Sequence, residues 1–158
     1  MIGVLGAGAF GTALAVVLAR AGRSVRLWGR DVSGIGRENP RLPGGRLPDE
    51  LEVMGDIARA SAPEVLLAAV PMQSVRTLLE TLGAGVEGKT LVCCAKGQDL
   101  TSGLGGYHLI ENLAPSATSA ILSGPGFADE VGRGCPTAMT LVGDEALQRA
   151  LSTPQLRL

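Results

Sequence analysis

Gly6-Ala7-Gly8-Ala9-Phe10-Gly11 constrains this chain more than any other stretch. The short apolar run Ile2-Gly3-Val4-Leu5 precedes it, and Thr12 to Ala21, rich in Ala, Leu and Val, comes after. A Gly-x-Gly-x-x-Gly between a strand and a helix is the pattern of a turn that holds a dinucleotide. Gly6 allows the tight turn out of the strand. Gly8 has no Cβ, so a pyrophosphate can approach the backbone, and Gly11 lets the helix pack close against the strand. The free N–H groups of the first helical turn, with the helix dipole behind them, then face the phosphates. The competing reading is a plain strand-turn-helix whose glycines serve the turn alone.

The segments beyond the loop decide the fold class. A helix is predicted over Phe10 to Ala21, stopped by Gly22. Ser24 to Trp28 alternates as a strand does. Val32 to Glu50 is an excursion rich in Gly, Pro and charge, after which strand-helix alternation resumes. A short strand is expected near Glu52 to Met54 and a short helix over Asp56 to Ala60. Glu64 to Val70 and Thr90 to Ala95 are near-continuous apolar runs, which suit central parallel strands covered on both faces. Helical spacing marks Gln73 to Leu82 and Leu104 to Leu113. Thr118 to Leu122 reads as a strand, Phe127 to Gly132 as a short helix and Thr137 to Val142 as one further strand. A last helix spans Asp144 to Leu151, with Asp144 as its N-cap. This alternation predicts an α/β domain over residues 1–158: a Rossmann-type, doubly wound, mostly parallel sheet with helices on both faces.

Composition narrows the function classes. The chain has 158 residues, 46% of them apolar and 3% aromatic, with 23 glycines, so its core must be aliphatic and closely packed. A net charge of −1 argues against a nucleic-acid surface. No apolar run reaches the length of a membrane span. The N-terminus runs straight into a strand with no charged leader, which reads as cytoplasmic. Cys93, Cys94 and Cys135 have no metal-ligand spacing, and no metal site is expected. Cys93 and Cys94 should point to opposite faces of their strand as small buried hydrophobes. His108, the only histidine, reads as a surface or satisfied side chain.

In an open parallel sheet ligands sit beyond the carboxyl ends of the strands. The informative residues are therefore the glycine loop, Gly29-Arg30, Val70-Pro71-Met72-Gln73, Ala95-Lys96-Gly97 and Ser123 to Ala128. An Asp or Glu after the second strand commonly accepts from the ribose 2′-OH of NAD. Here Trp28-Gly29 holds that place and Arg30 comes next, a guanidinium that can pair with a 2′-phosphate through two donors. This slightly favours NADP over NAD, although Asp31 stays within reach of a ribose hydroxyl and Arg30 also reads as a solvated loop residue. Lys96, at a strand end, can attract a phosphate or polarise a carbonyl; the plain alternative is a loop lysine. The Gly124-Pro125-Gly126 turn before a helix offers N–H groups to a phosphate or an amide. Asp129 and Glu130 read as first-turn helix residues.

Taken in order, these segments resemble the N-terminal part of the bacterial-type NAD(P)-dependent glycerol-3-phosphate dehydrogenases. The resemblance covers Ile2 to Leu158. It rests on Gly6 to Gly11, Val25 to Arg30, Asn39-Pro40 with Leu42-Pro43-Gly44 and Leu47-Pro48, Ala69-Val70-Pro71, Ala95-Lys96-Gly97, Leu122 to Val131 and Pro136-Thr137-Ala138. It implies reversible reduction of dihydroxyacetone phosphate to sn-glycerol 3-phosphate, feeding phospholipid synthesis. It further implies cofactor contacts at Gly6, Gly8, Ala9, Phe10, Gly11, Arg30, Pro71, Lys96 and Ala128, and substrate contacts at Lys96, Gly124 and Gly126. Two positions depart from the family: Gly126 stands where a serine or threonine is common, and Ala9 where a serine often is. Family members continue into a helical domain that carries the proton-donating lysine. The expectation is that this domain is absent here, that no catalytic general acid lies in this chain, and that the chain turns over little alone. The alternative is a standalone or split-gene dinucleotide-binding or regulatory module, completed by a partner chain or a homodimer. A ketopantoate-type reductase is disfavoured by the Lys96-Gly97 pair and the Ser123 to Ala128 run.

Overall fold

The computed structural model describes residues 1–158. The elements in chain order are β1 (Ile2–Leu5), α1 (Ala9–Arg20), β2 (Val25–Trp28), β3 (Glu52–Met54), α2 (Ile57–Ala60), β4 (Val65–Ala68), α3 (Met72–Leu82), β5 (Thr90–Cys93), α4 (Gly106–Leu113), β6 (Thr118–Ser123), α5 (Ala128–Arg133), β7 (Thr137–Ala138), β8 (Thr140–Val142), α6 (Glu145–Leu151) and β9 (Leu156–Arg157). The main sheet has seven strands in the order β3-β2-β1-β4-β5-β6-β8. All pairs are parallel except β6 with β8. The strand order reverses at β1, whose Leu5 lies beside Trp28 on one side and Ala68 on the other.

Alternation along the central strands sorts their side chains into two cores. Val4, Leu67, Val92, Cys94 and Leu122 join the layer of α1, α5 and α6 through Leu14, Leu18, Val131, Leu147 and Leu151. Leu5, Leu66, Ala68, Leu91 and Cys93 join the layer of α2, α3 and α4 through Ala60, Val75, Leu79, Leu109 and Ile110. Both faces of these strands are covered, which is why the sequence shows apolar runs there and not alternation. Cys93 and Cys94 fall in opposite layers, as a period of two requires.

The segment between β2 and β3 is not a solvated loop throughout. Leu42, Leu47 and Leu51 enter the α1 layer, and Asn39 is fully buried. The expected single strand over Thr137 to Val142 is divided. The Thr137 and Met139 N–H groups donate to Gln155 and Arg157 of the small β7-β9 sheet, and from Thr140 the chain turns to pair with β6. Met139 is the change-over residue, buried against Gly124 and Gly126. A continuous β-prone run carries no sign of a change of partner, and two-residue β9 carries no strand signal at all. Asp144 caps α6 as expected, its Oδ1 accepting from the Leu147 N–H at 2.7 Å.

Gly11 sets how closely α1 approaches the sheet. A Cβ built there meets the Gly6 carbonyl oxygen in hard overlap and the Ala69 Cβ at 3.0 Å. Backbone cannot give way as a flexible side chain can. Gly11→Ala is therefore expected to lower unfolding stability by roughly 1–3 kcal/mol or more, the range of an overpacked core. Urea denaturation followed at Trp28 measures it.

Candidate functional site

The switch point at β1 opens two adjoining clefts. The first, about 550 Å3, is lined by Gly6, Ala7, Gly8, Trp28, Gly29, Arg30, Asp31, Arg41, Ala69, Val70 and Pro71. The second, about 580 Å3, takes in Gly8, Ala9, Phe10, Pro71, Met72, Cys94, Ala95, Lys96, Gly126, Phe127 and Ala128 among its walls. Gly8, Ala69, Val70 and Pro71 belong to both, so the glycine loop and the end of β4 form the saddle between them. A smaller slot of about 200 Å3 lies beyond Arg30, between Ile57, Val70, Pro71 and Leu78.

The three loop glycines have three different environments. Gly6 has φ +131°, a conformation that side chains rarely adopt, and a Cβ there would overlap the Ala69 carbonyl. Gly11 is packed against the Gly6 carbonyl and takes no part in the cleft wall. Gly8 is unlike both. Its φ of −75° suits any residue, and a Cβ there would meet nothing within 4 Å. Gly8 is also the N-cap of α1, with no side chain capping the first turn and no acidic residue in it. The orphan N–H groups of that turn, and the positive end of the helix dipole, are left for whatever enters the cleft.

The loop is held from behind by Asn39. Its Nδ2 donates to the Ala7 carbonyl at 3.0 Å and to Thr12 Oγ1 at 2.7 Å, while its Oδ1 accepts from the Arg41 N–H at 3.0 Å. Asn39 and Thr12 are both fully buried. One side chain thus ties the glycine loop, the first turn of α1 and the backbone that carries Arg41. Sequence reasoning gave neither Asn39 nor Arg41 a role at the cleft. Arg41 is one charge among several in a polar stretch, and only the fold brings it to the cleft that Arg30 also lines.

Asp31 also lines the first cleft, with one of its two carboxylate oxygens engaged locally. Its Oδ1 accepts from the Ser33 hydroxyl at 2.7 Å and the Ser33 N–H at 3.0 Å. Those two bonds, with Arg41 nearby, hold its carboxyl below the usual carboxylate range. Trp28 spends its only donor on the Gly55 carbonyl at 3.0 Å, so its ring edge is fixed at the first cleft. In the second cleft Lys96 Nζ donates to the Gly124 carbonyl at 2.9 Å across the crevice. Gly124 reaches the site through that carbonyl and does not line the cleft. Burial pushes the Cys93 and Cys94 thiols up, which leaves them as packing groups and not nucleophiles. His108 is exposed and bonds Glu111 at 3.0 Å, apart from this chemistry in role. No cluster of His, Cys, Asp and Glu suited to a metal ion is present, and no helix is long and apolar enough to cross a membrane.

A strand, a glycine turn and an uncapped helix at a switch point describe many dinucleotide sites; comparison with known proteins separates them. A family model described as NAD-dependent glycerol-3-phosphate dehydrogenase N-terminus matches residues 1–147. The chain belongs to that family. It is 49% identical over 168 aligned residues to the glycerol-3-phosphate dehydrogenase (NAD(P)+) of Ruegeria sp. strain TM1040, covering 99% of this chain and 52% of that protein. The Jannaschia sp. strain CCS1 enzyme of the same name is 48% identical, with 98% of this chain and 51% of that protein covered. Among solved structures, glycerol-3-phosphate dehydrogenase of Coxiella burnetii superposes with a TM-score of 0.88 at 28% identity, over 99% of this chain and 52% of that one. The chain thus spans about half the length of the relatives it matches. The family match carries the doubly wound fold and a nicotinamide dinucleotide as the cofactor class.

The turn beyond Lys96 contains the most perturbed carboxylate. Asp99 is nearly buried and accepts from Arg76 Nη2 at 2.7 Å and from the Ser102 hydroxyl and N–H. Arg76 first, and Ser102 next, lower its pKa to about 2. A depressed folded-state pKa contributes stability that is complete above the unfolded value of about 4 and fades as pH falls toward 2. The melting temperature is therefore expected to drop over pH 4 to 2 more steeply in the native chain than in Asp99→Asn, as read by circular dichroism. Parallel profiles would contradict the assignment.

Proposed function

We propose that residues 1–158 form the dinucleotide-holding part of a glycerol-3-phosphate dehydrogenase, with NADP slightly favoured over NAD. The observation that carries this reading is Gly8. Neither its backbone angles nor its neighbours require a glycine, so the missing side chain leaves room for a ligand and not for protein. A pyrophosphate at the saddle would accept from the N–H groups at the start of α1. Its adenosine half would extend into the first cleft toward Arg30, with the slot between Ile57 and Leu78 as a shelf for the base. Its nicotinamide half would extend past Phe10 and Pro71 into the second cleft, with Ala128 on the far wall.

Held by these residues, a reduced nicotinamide would supply the hydride for reduction of dihydroxyacetone phosphate to sn-glycerol 3-phosphate, a precursor of glycerophospholipids, and its oxidised form would take the hydride back in the reverse direction. Lys96 spends one proton on Gly124 and keeps two donors for a phosphate or carbonyl oxygen. Gly126 borders the same space. We assign the general acid of the reaction to none of the residues lining this cleft. The apolar walls at Phe10, Met72 and Phe127 limit water at the reacting carbon once the cleft is covered.

Two guanidiniums, Arg30 and Arg41, border the first cleft against one carboxylate, Asp31, whose Oδ1 is engaged by Ser33. This charge pattern suits a 2′-phosphate better than a bare 2′-hydroxyl. Titration of the chain with NADPH and NADH, read at Trp28, tests the proposal. Saturable binding of both is expected, with Arg30→Ala weakening NADPH roughly tenfold, as loss of one charge-assisted hydrogen bond implies, and NADH little. Absence of saturable binding to either cofactor would contradict the function. Equal effects of Arg30→Ala on both would contradict the 2′-phosphate assignment alone.

A further inference from the structure

The outer face of α3 grips the turn beyond Lys96. Gln73 Nε2 donates to the Gln98 carbonyl at 2.9 Å, and the Leu100 N–H donates back to Gln73 Oε1 at 3.0 Å. One helical turn on, Arg76 Nη2 meets Asp99 Oδ2 at 2.7 Å. The same carboxylate oxygen receives the Ser102 hydroxyl at 2.6 Å and the Ser102 N–H at 3.0 Å. The turn also closes on itself, with the Asp99 N–H on the Leu104 carbonyl and the Gly103 N–H on the Asp99 carbonyl.

These bonds divide into two sets with different consequences. The Ser102, Gly103 and Leu104 bonds shape the turn. The Gln73 and Arg76 bonds add nothing to its shape and fix where it stands relative to α3. Apolar burial acts only at the far end of the turn, where Leu104 packs against the core that α3 lines, while Leu100 at its tip is 86% exposed. Nor does bare stability explain an ion pair whose acid is almost wholly desolvated, since apolar replacement of such pairs is often neutral. Two features lie at the ends of the gripped unit. Pro71 and Met72, where α3 begins, line the second cleft, and Lys96 lines the opposite part of the same cleft. Gly97, at φ +96°, is the single corner between Lys96 and the held turn.

We propose that Gln73 and Arg76, acting through Asp99, are positioning residues for Lys96: they lock the Lys96 turn to the helix that starts at the cleft, so that the ammonium is presented at a fixed distance from Pro71 and Met72. The inference rests on the reading of Lys96 as a cofactor contact. A long, flexible side chain gains most from a fixed base, because the ordering entropy is spent before the ligand arrives.

The test is a double-mutant cycle on the chain, with NADPH affinity read at Trp28 and the melting temperature measured for each variant. Lys96→Ala alone is expected to weaken binding. Arg76→Gln is expected to weaken it roughly 3- to 10-fold when Lys96 is present and by no more than about 1.5-fold in the Lys96→Ala background, the non-additivity of residues that act as one unit. Arg76→Lys, which keeps a cation beside Asp99, is expected to recover most of the loss. A merely structural role gives the same loss in both backgrounds, and that result, or no loss in either, overturns the inference. Gln73→Ala, at an exposed site, repeats the cycle should Arg76→Gln fail to fold; Gln73 also borders the slot beside Arg30, so its coupling to Lys96 is read and not its single effect. If Lys96→Ala itself leaves NADPH binding unchanged, the reading of Lys96 fails and this inference falls with it. If Lys96→Ala weakens binding while both α3 variants are silent, only the inference fails.

Discussion

At its N-terminal turn helix α1 meets the glycine loop with no side chain between them. Gly11 lies on the Gly6 carbonyl, and Gly6 in turn lies on the Ala69 carbonyl at the end of β4. This backbone-to-backbone stack fixes the N-terminus of α1 over the point where the strand order reverses. Everything that faces the cleft depends on it. Were α1 to ride one side chain higher, its first N–H groups would no longer sit above the saddle shared by the two clefts. The Ala7 carbonyl and Thr12 hydroxyl would also leave Asn39, whose three bonds join the loop to the Arg41 backbone.

Around that stack the chain builds two unlike arms. The first arm, on the β2 side, is polar and cationic, with Arg30 and Arg41 beside the single carboxylate of Asp31. The second, between β4, β5 and β6, is more apolar, with Phe10, Met72 and Phe127 around a single ammonium. The two unlike arms agree with the proposed ligand, a nicotinamide dinucleotide whose two halves also differ in polarity. The same arrangement explains why the functional side chains are few. In the proposed binding mode most of the recognition would fall to backbone N–H groups, which are rigid once the glycine stack is in place and need little ordering on binding.

How much of this was readable in the amino-acid order depended on distance along the chain. The glycine loop, the buried runs that became β4 and β5, and the Asp144 cap are local signals, and each appeared where expected. The doubly wound sheet came from their alternation, and the family from the order of motifs. What escaped was set by contacts between remote segments. Asn39 reaches Ala7 and Thr12 from the far side of β2, and nothing near residue 39 announces it. Arg76 and Asp99 lie 23 residues apart, on a helix and a turn that only the parallel sheet brings side by side. Met139 interrupts a run that looked like one strand because its partners change from β9 to β6, a tertiary event with no local mark. Gly126 sits where a Cβ would press on Thr137 Cγ2 at 2.8 Å, so the neighbouring strand already fills that space.

Gly6 and Gly11 are held to glycine by the fold, Gly8 is not, and the proposed function stands on that difference. Gly8→Ala separates the two most directly, with stability by urea denaturation and NADPH affinity by Trp28 emission measured on the same preparation. The predicted result is stability within about 0.5 kcal/mol of the native chain, as for a substitution that touches nothing, together with NADPH binding weakened at least roughly tenfold. A variant that unfolds readily, or one that binds NADPH as tightly as the native chain, would contradict it.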